Sequence, residues 1–232
     1  LGENVQLKNV NQQGIKSLIN ELRKIKASNN TPFITSQLNA WENNATKLVN
    51  NKKGDSNNLK LIGKGGRGRV YRDGNCIIKK MKVFCMSEAL HEVNMCNEYN
   101  IRTGQISPVA FVEDHNIRMP YIDGTLPDFH EVSLVIKNMY SKGMLMADPK
   151  PDNFLKRENG EVVPVDFGLV FLKDRLQNIH PEVQKEIVYD YIKGGCSFIP
   201  QEIKQGYVSC IKILDDLLGI DSPSRKANIK DL

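Results

Sequence analysis

The sequence predicts an α+β fold: an antiparallel sheet of hairpin-linked strands, then a mainly helical region, with a helical hairpin ahead of both. Three observations carry this. Asp73-Gly74 is a two-residue hairpin signal between the β-rich runs Val70-Tyr71 and Cys76-Ile77-Ile78. Beyond residue 130, apolar residues recur at helical spacing, as in Val132, Val135, Ile136 and Met139. Near the start, Ile15, Leu18, Ile19, Leu22 and Ile25 form one apolar stripe with Lys and Glu on the opposite face.

That stripe predicts a first helix over residues 12–26, broken by Asn29-Asn30-Thr31-Pro32. Ser36 is placed to cap a second helix bearing Leu38, Trp41, Ala45 and Leu48. The run NNKKGDSNN over residues 50–58 reads as a polar linker, so residues 1–58 form a helical extension and 59–232 the main domain. From residue 59 the pattern is strand, glycine turn, strand, tight turn, strand. A helix is expected over 87–99, strands over 109–112 and 116–122, and a helix over 131–142 stopped by Gly143. Short strands at 154–155 and 162–165 flank the turn Glu158-Asn159-Gly160, and helices follow over 181–193 and about 203–218.

Of the 232 residues, 40% are hydrophobic and 25% charged, a soluble balance with enough chain for a buried core. The net charge of +5 is scattered, which argues against a nucleic-acid partner. No apolar run reaches the length of a membrane span. Cys76, Cys85, Cys96, Cys196 and Cys210 are odd in number and form no CxxC pair, so reduced cysteines in a cytosolic setting are expected. The chain begins at Leu1 rather than Met, as a piece of a longer protein would.

Three motifs follow in order. Gly63-Lys64-Gly65-Gly66-Arg67-Gly68-Arg69-Val70 is GxGxxGxV, whose bare backbone lets N–H groups approach phosphates. A strand follows it, whereas a Rossmann turn would open a helix; a plain glycine hairpin is the competing reading. Next comes Lys79. An Asp73-Gly74 loop pairs Arg72 with Asn75, Val70 with Ile77 and Gly68 with Lys79, so Gly68, Val70, Ile77 and Lys79 share one face and Lys80 points away. The third is Asp148-Pro149-Lys150-Pro151-Asp152-Asn153 followed by Asp166-Phe167-Gly168. Two Asp and an Asn converging on one cleft suit phosphoryl transfer, which needs a group to orient a hydroxyl and oxygen ligands for Mg²⁺. Singly, each piece is also an ordinary capped turn.

In this order the motifs resemble the eukaryotic-type protein kinase superfamily over roughly residues 59–200. The resemblance implies a bilobal fold with an N-lobe over about 59–123 and a reduced helical C-lobe over about 124–232. It implies ATP and Mg²⁺ as cofactors, with Gly63, Gly65 and Gly68 covering the phosphates and Lys79 holding them. Glu92, ahead of Glu88, becomes the helix partner of Lys79. Asp148 becomes the catalytic-loop aspartate, Lys150 its phosphate-neutralising lysine, and Asn153 and Asp166 the metal ligands. Val70 and Ile77 line the adenine site, Met119 is the gatekeeper, and Pro120 and Ile122 belong to the adenine-binding hinge; Ile122 keeps an N–H, which Pro120 lacks.

The chain departs from the family in three ways. Met146-Ala147 replaces the usual His-Arg before the catalytic Asp, which removes the reader of an activation-loop phosphate. Ile77 stands where Ala is usual and crowds adenine. Little chain follows Gly168, and Ile199-Pro200-Gln201-Glu202 only faintly echoes Ala-Pro-Glu. Such trimming is similar to the effector kinases that enteric bacteria inject by type III secretion, of the SteC, OspG and NleH types. This implies a Ser/Thr kinase acting on host signalling proteins in the host cytoplasm. A pseudokinase that holds a partner and a small-molecule kinase are the alternatives. Nothing in the sequence fixes an oligomeric state.

Overall fold

A computed structural model of the chain describes residues 59–104 and 110–219. The helical extension expected over 1–58, and Val109 of the expected strand 109–112, lie outside the described residues. The described residues fall into two compact units, one of 59–85, 104 and 110–121, the other of 86–103 and 122–219.

The first unit is a five-stranded antiparallel sheet of β1 (Lys60–Lys64), β2 (Gly68–Asp73), β3 (Cys76–Met81), β4 (Phe111–Glu113) and β5 (Asn116–Pro120), in the order β1-β2-β3-β5-β4. The β2–β3 register differs from the expected one. Asp73 pairs with Cys76, Val70 with Lys79 and Gly68 with Met81, so the loop residues are Gly74 and Asn75. Gly74 has φ of 61°. A two-residue hairpin loop with glycine at its first central position matches the strand twist, whereas Asp73 there would carry the strain of a positive φ. The shift is two residues along β3. Because side chains alternate with period two, Gly68, Val70, Ile77 and Lys79 still share a face.

At β4–β5 the turn residues Asp114 and His115 have φ of 46° and 60°, and Asn116 Nδ2 donates to the Asp114 carbonyl at 2.8 Å. On β5, Arg118 pairs with Ile78 and reaches two acids: Asp73 Oδ2 at 2.9 Å and the buried carboxylate of Glu113. One guanidinium thus ties the β2–β3 turn to the β4–β5 hairpin.

The second unit contains α1 (Met86–Thr103), α2 (Phe129–Ser141), α3 (Pro181–Lys193), α4 (Gln201–Leu217) and two short ribbons. α1 starts and ends beyond the expected 87–99 and stops at Gly104, which has φ of 71°. Arg102 donates to the Lys142 carbonyl at 2.8 Å, Arg175 to Glu98 at 2.9 Å, and the His91 ring meets the Val170 carbonyl at 2.7 Å. These bonds tie α1 to this unit. α2 begins at a capping box in which Asp128 accepts from the Glu131 N–H and Glu131 from the Asp128 N–H. One ribbon pairs β7 (Phe154–Lys156) with β8 (Val162–Pro164), as expected. The other, β6 (Met144–Met146) with β9 (Val170–Leu172), was not expected. Its strands are continuous apolar runs of three residues, which show no alternation. The core of this unit sets Tyr191, Tyr207, Phe154, Phe171, Ile136 and Met139 fully inside. Each such side chain contributes about 1.5–3 kcal/mol. Among the described residues no helix is long and apolar enough to cross a membrane.

Candidate active site

The unexpected ribbon organises the acids. β6 runs into Ala147 and Asp148, while Asp166-Phe167-Gly168 runs into Leu169 and β9. Met146 pairs with Val170, and the Ala147 N–H donates to the Leu169 carbonyl at 2.8 Å. Asp148 and Asp166 therefore lie just past the same end of one ladder. A second tie closes the arrangement, from the Val165 N–H to the Asn153 carbonyl at 2.9 Å. Phe167 is buried and its ring lies 5.6 Å from that of Tyr99 on α1.

Within this frame the side chains meet. Lys150 Nζ donates to Asp148 Oδ2 at 2.6 Å, and Asn153 Nδ2 donates to the same oxygen at 3.0 Å and to the Asp148 carbonyl at 2.7 Å. Burial lowers the pKa of Lys150, but the bond to Asp148 and the charges of Asp148, Asp190 and Asp166 outweigh it, leaving a net rise. Asp166 Oδ1 accepts from the Gly168 N–H at 3.2 Å. Four predicted site residues, Asp148, Lys150, Asn153 and Asp166, are thus together in one unit.

Asn153 commits its NH₂ to Asp148, which leaves its amide oxygen for another partner. An amide oxygen and the Asp166 carboxylate are hard donors suited to Mg²⁺, which takes few protein ligands and completes its shell with water and phosphate. No group of three or more His, Cys, Asp or Glu able to hold a metal occurs among the described residues.

On the first unit, the one-face relation covers more residues than the hairpin alone predicted. Gly63 pairs with Val70, Val70 with Lys79, Ile77 with Met119 and Lys79 with Ile117. Gly63, Gly68, Val70, Ile77, Lys79 and Met119 therefore share a face, with Lys79 half-buried and Met119 buried. The glycines serve different ends. A Cβ on Gly68 would lie 2.3 Å from the Lys80 carbonyl oxygen, so glycine there is required by the sheet itself. At Gly65 and Gly66 a Cβ would meet nothing within 4 Å, and the Gly65 N–H turns back to the Gly68 carbonyl at 2.9 Å. Pro120 ends β5 opposite Cys76, and the next N–H, of Tyr121, bonds the Asn75 carbonyl at 2.9 Å. Glu92 is buried on α1, and Ile122 is half-buried in the second unit.

Three residues near the acids were not found from the sequence: Asp190, whose charge acts on Lys150; His91, bonded to Val170; and Tyr207, whose hydroxyl meets the Met146 N–H. All are polar residues within amphipathic helices, and no motif marks them.

The chain is similar to curated proteins over half its length. It is 29% identical over 158 residues to the serine/threonine-protein kinase PknD of Chlamydia trachomatis serovar L2b (strain UCH-1/proctitis), a match that covers 50% of this chain and 17% of that protein. PknD of Chlamydia muridarum (strain MoPn / Nigg) is 28% identical over 158 residues with the same coverage. A probable serine/threonine-protein kinase of Dictyostelium discoideum is 27% identical over 148 residues, covering 50% of this chain and 32% of that protein. No family model matches the chain. These likenesses support the protein kinase superfamily. The mixed fold, an antiparallel sheet with several helices, is compatible with it.

Proposed function

We propose that the protein is an ATP- and Mg²⁺-dependent protein kinase that phosphorylates serine or threonine. The observation that carries this reading is the Asp148 carboxylate, held by Lys150 on one side and Asn153 on the other, at the same ladder end as Asp166. Asp148 orients the acceptor hydroxyl and takes its proton. The hydroxyl oxygen forms the new bond to the γ-phosphorus as the bond to the β,γ-bridging oxygen breaks, and ADP leaves. Lys150, beside Asp148, offsets charge on the transferred group. The Asn153 amide oxygen and Asp166 hold Mg²⁺, which when bound neutralises phosphate charge. On the first unit, Lys79 pairs with the α- and β-phosphates and the backbone of Gly63, Gly65 and Gly68 follows them. Val70, Ile77 and Met119 line the base, with Pro120 along its edge.

The finer reading is a bacterial effector acting on host signalling proteins. It is supported by the segment between Gly168 and Pro181, which holds only β9 and one short 3-10 turn before α3, and by Ala147, whose methyl side chain cannot bind an activation-loop phosphate. The test is transfer of labelled γ-phosphate into proteins of a eukaryotic extract by the wild type, Asp148→Ala and Asp166→Ala. Labelling confined to the wild type supports the kinase reading, and equal labelling by all three defeats it.

A further inference from the structure

We propose that Tyr207, on α4, is a positioning residue for Asp148, holding from behind the backbone that presents the carboxylate. The proposal rests on the kinase reading of Asp148. Among the described residues β6 pairs only with β9. The Ala147 N–H points to β9, so by alternation the Met146 N–H points away from it. Met146 is 1% exposed, which denies that N–H access to water. Tyr207 Oη accepts it at 3.1 Å.

The acceptor is itself fixed. Tyr207 is fully buried, and its ring stacks on Tyr140 at 5.9 Å and on Tyr191 at 6.4 Å, with interplanar angles of 19° and 14°. Tyr140 can come so close to α4 because residue 206 is glycine: a Cβ there would lie 2.1 Å from the Tyr140 hydroxyl. A second contact supports the next peptide. Gly195, in the short 3-10 turn between α3 and α4, packs so closely that a Cβ would lie 1.9 Å from the Ala147 carbonyl oxygen. Three successive peptide units before Asp148 are therefore held: one by Tyr207, one by β9 and one against Gly195. Neither Met146 nor Ala147 has a side chain that can form a strong hydrogen bond, so this stretch is fixed through its backbone.

Tyr207→Phe keeps the stacked ring and removes only the acceptor. Two quantities are measured on the full chain: steady-state transfer of γ-phosphate, and hydrogen exchange of the Met146 amide. The expected result is a kcat about ten-fold lower with KM for ATP within about two-fold, because presentation of the base changes while nucleotide binding does not. Met146 exchange should be faster. Tyr191→Phe, altered on the other stacked ring, should change neither quantity. Unchanged kcat in Tyr207→Phe, or an equal loss in Tyr191→Phe, overturns the proposal. If the wild type transfers no more phosphate than Asp148→Ala, the kinase reading fails. In that case faster Met146 exchange in Tyr207→Phe still upholds the contact, and unchanged exchange overturns it.

Discussion

Asn153 Nδ2 donates to Asp148 twice, at 2.7 Å to its carbonyl and at 3.0 Å to its carboxylate. One amide thus fixes both where the aspartate backbone sits and where its carboxylate points. Asn153→Ala removes both bonds and a proposed metal ligand. A loss of roughly 10²-fold in kcat is expected, with a raised Mg²⁺ requirement and a nearly unchanged melting temperature, because the residue is only half-buried. Wild-type kcat at low Mg²⁺ would remove Asn153 from the site.

Asp148→Asn preserves size and an acceptor oxygen but not the charge or basicity. Transfer should fall by about 10²–10⁴-fold, the range for loss of a general base. Binding of ATP, followed by a fluorescent nucleotide analogue, should persist. An active Asp148→Asn enzyme would reassign the base.

Arg118 is the shared cation of Asp73 and the buried Glu113. Burial disfavours its charge, but bonding and proximity to the two acids outweigh this and raise its pKa. Arg118→Met leaves Glu113 inside without that cation and should cost about 3 kcal/mol in chemical denaturation. Adding Glu113→Leu should recover most of the loss, since two apolar groups need no ion pair. Failure of the second change to help would mean that the network is not what anchors the hairpins.

His91 is set between helix α1 and the segment after Asp166, and burial lowers its pKa. The sign follows from that direction. The folded state prefers the neutral ring, so the contribution to stability is present above the unfolded value of about 6.5 and is lost as pH falls toward the folded pKa. Melting temperature should drop between pH 7 and 5. His91→Gln keeps a donor for the Val170 carbonyl but cannot titrate, so its profile should be flatter, by at most about 1.4 kcal/mol per pH unit. Parallel profiles for the two proteins would assign the acid sensitivity elsewhere.

Tyr191 Oη is buried with no hydrogen-bond partner among the described residues, and burial raises its pKa. Tyr191→Phe removes an unsatisfied polar atom and keeps the ring. Stability should rise by about 1 kcal/mol, read as a melting shift of roughly 2–4 °C. A drop would reveal a partner for the hydroxyl.

The sheet was legible because its turns are chemically marked. Asp73-Gly74 announced a hairpin, and even with the loop moved to Gly74-Asn75 the alternation of strands kept Lys79 and Val70 on one face. The loop residues Asp148, Lys150 and Asn153 were legible as a motif because loops carry their chemistry in short runs. β6 and β9 were hidden because three apolar residues in a row have no period, and only pairing with each other makes them strands. Tyr207 and Gly195 were hidden for a different reason. Their partners are the backbone atoms of Met146 and Ala147, and a main-chain group leaves no trace in the sequence.

The β6–β9 ribbon separates two lengths that are usually confused, the distance along the chain and the distance in space. The spacing of Asp148 and Asp166 is set by that ladder and by the Val165–Asn153 bond, while the β7–β8 hairpin between them ends in an exposed turn at Glu158-Asn159-Gly160. Chain added at that tip changes the contour and not the span. Doubling a flexible loop costs only about 0.6 kcal/mol. The tip is therefore a port: a fluorescent tag or a small reporter domain spliced there would ride on the enzyme without shifting either acid.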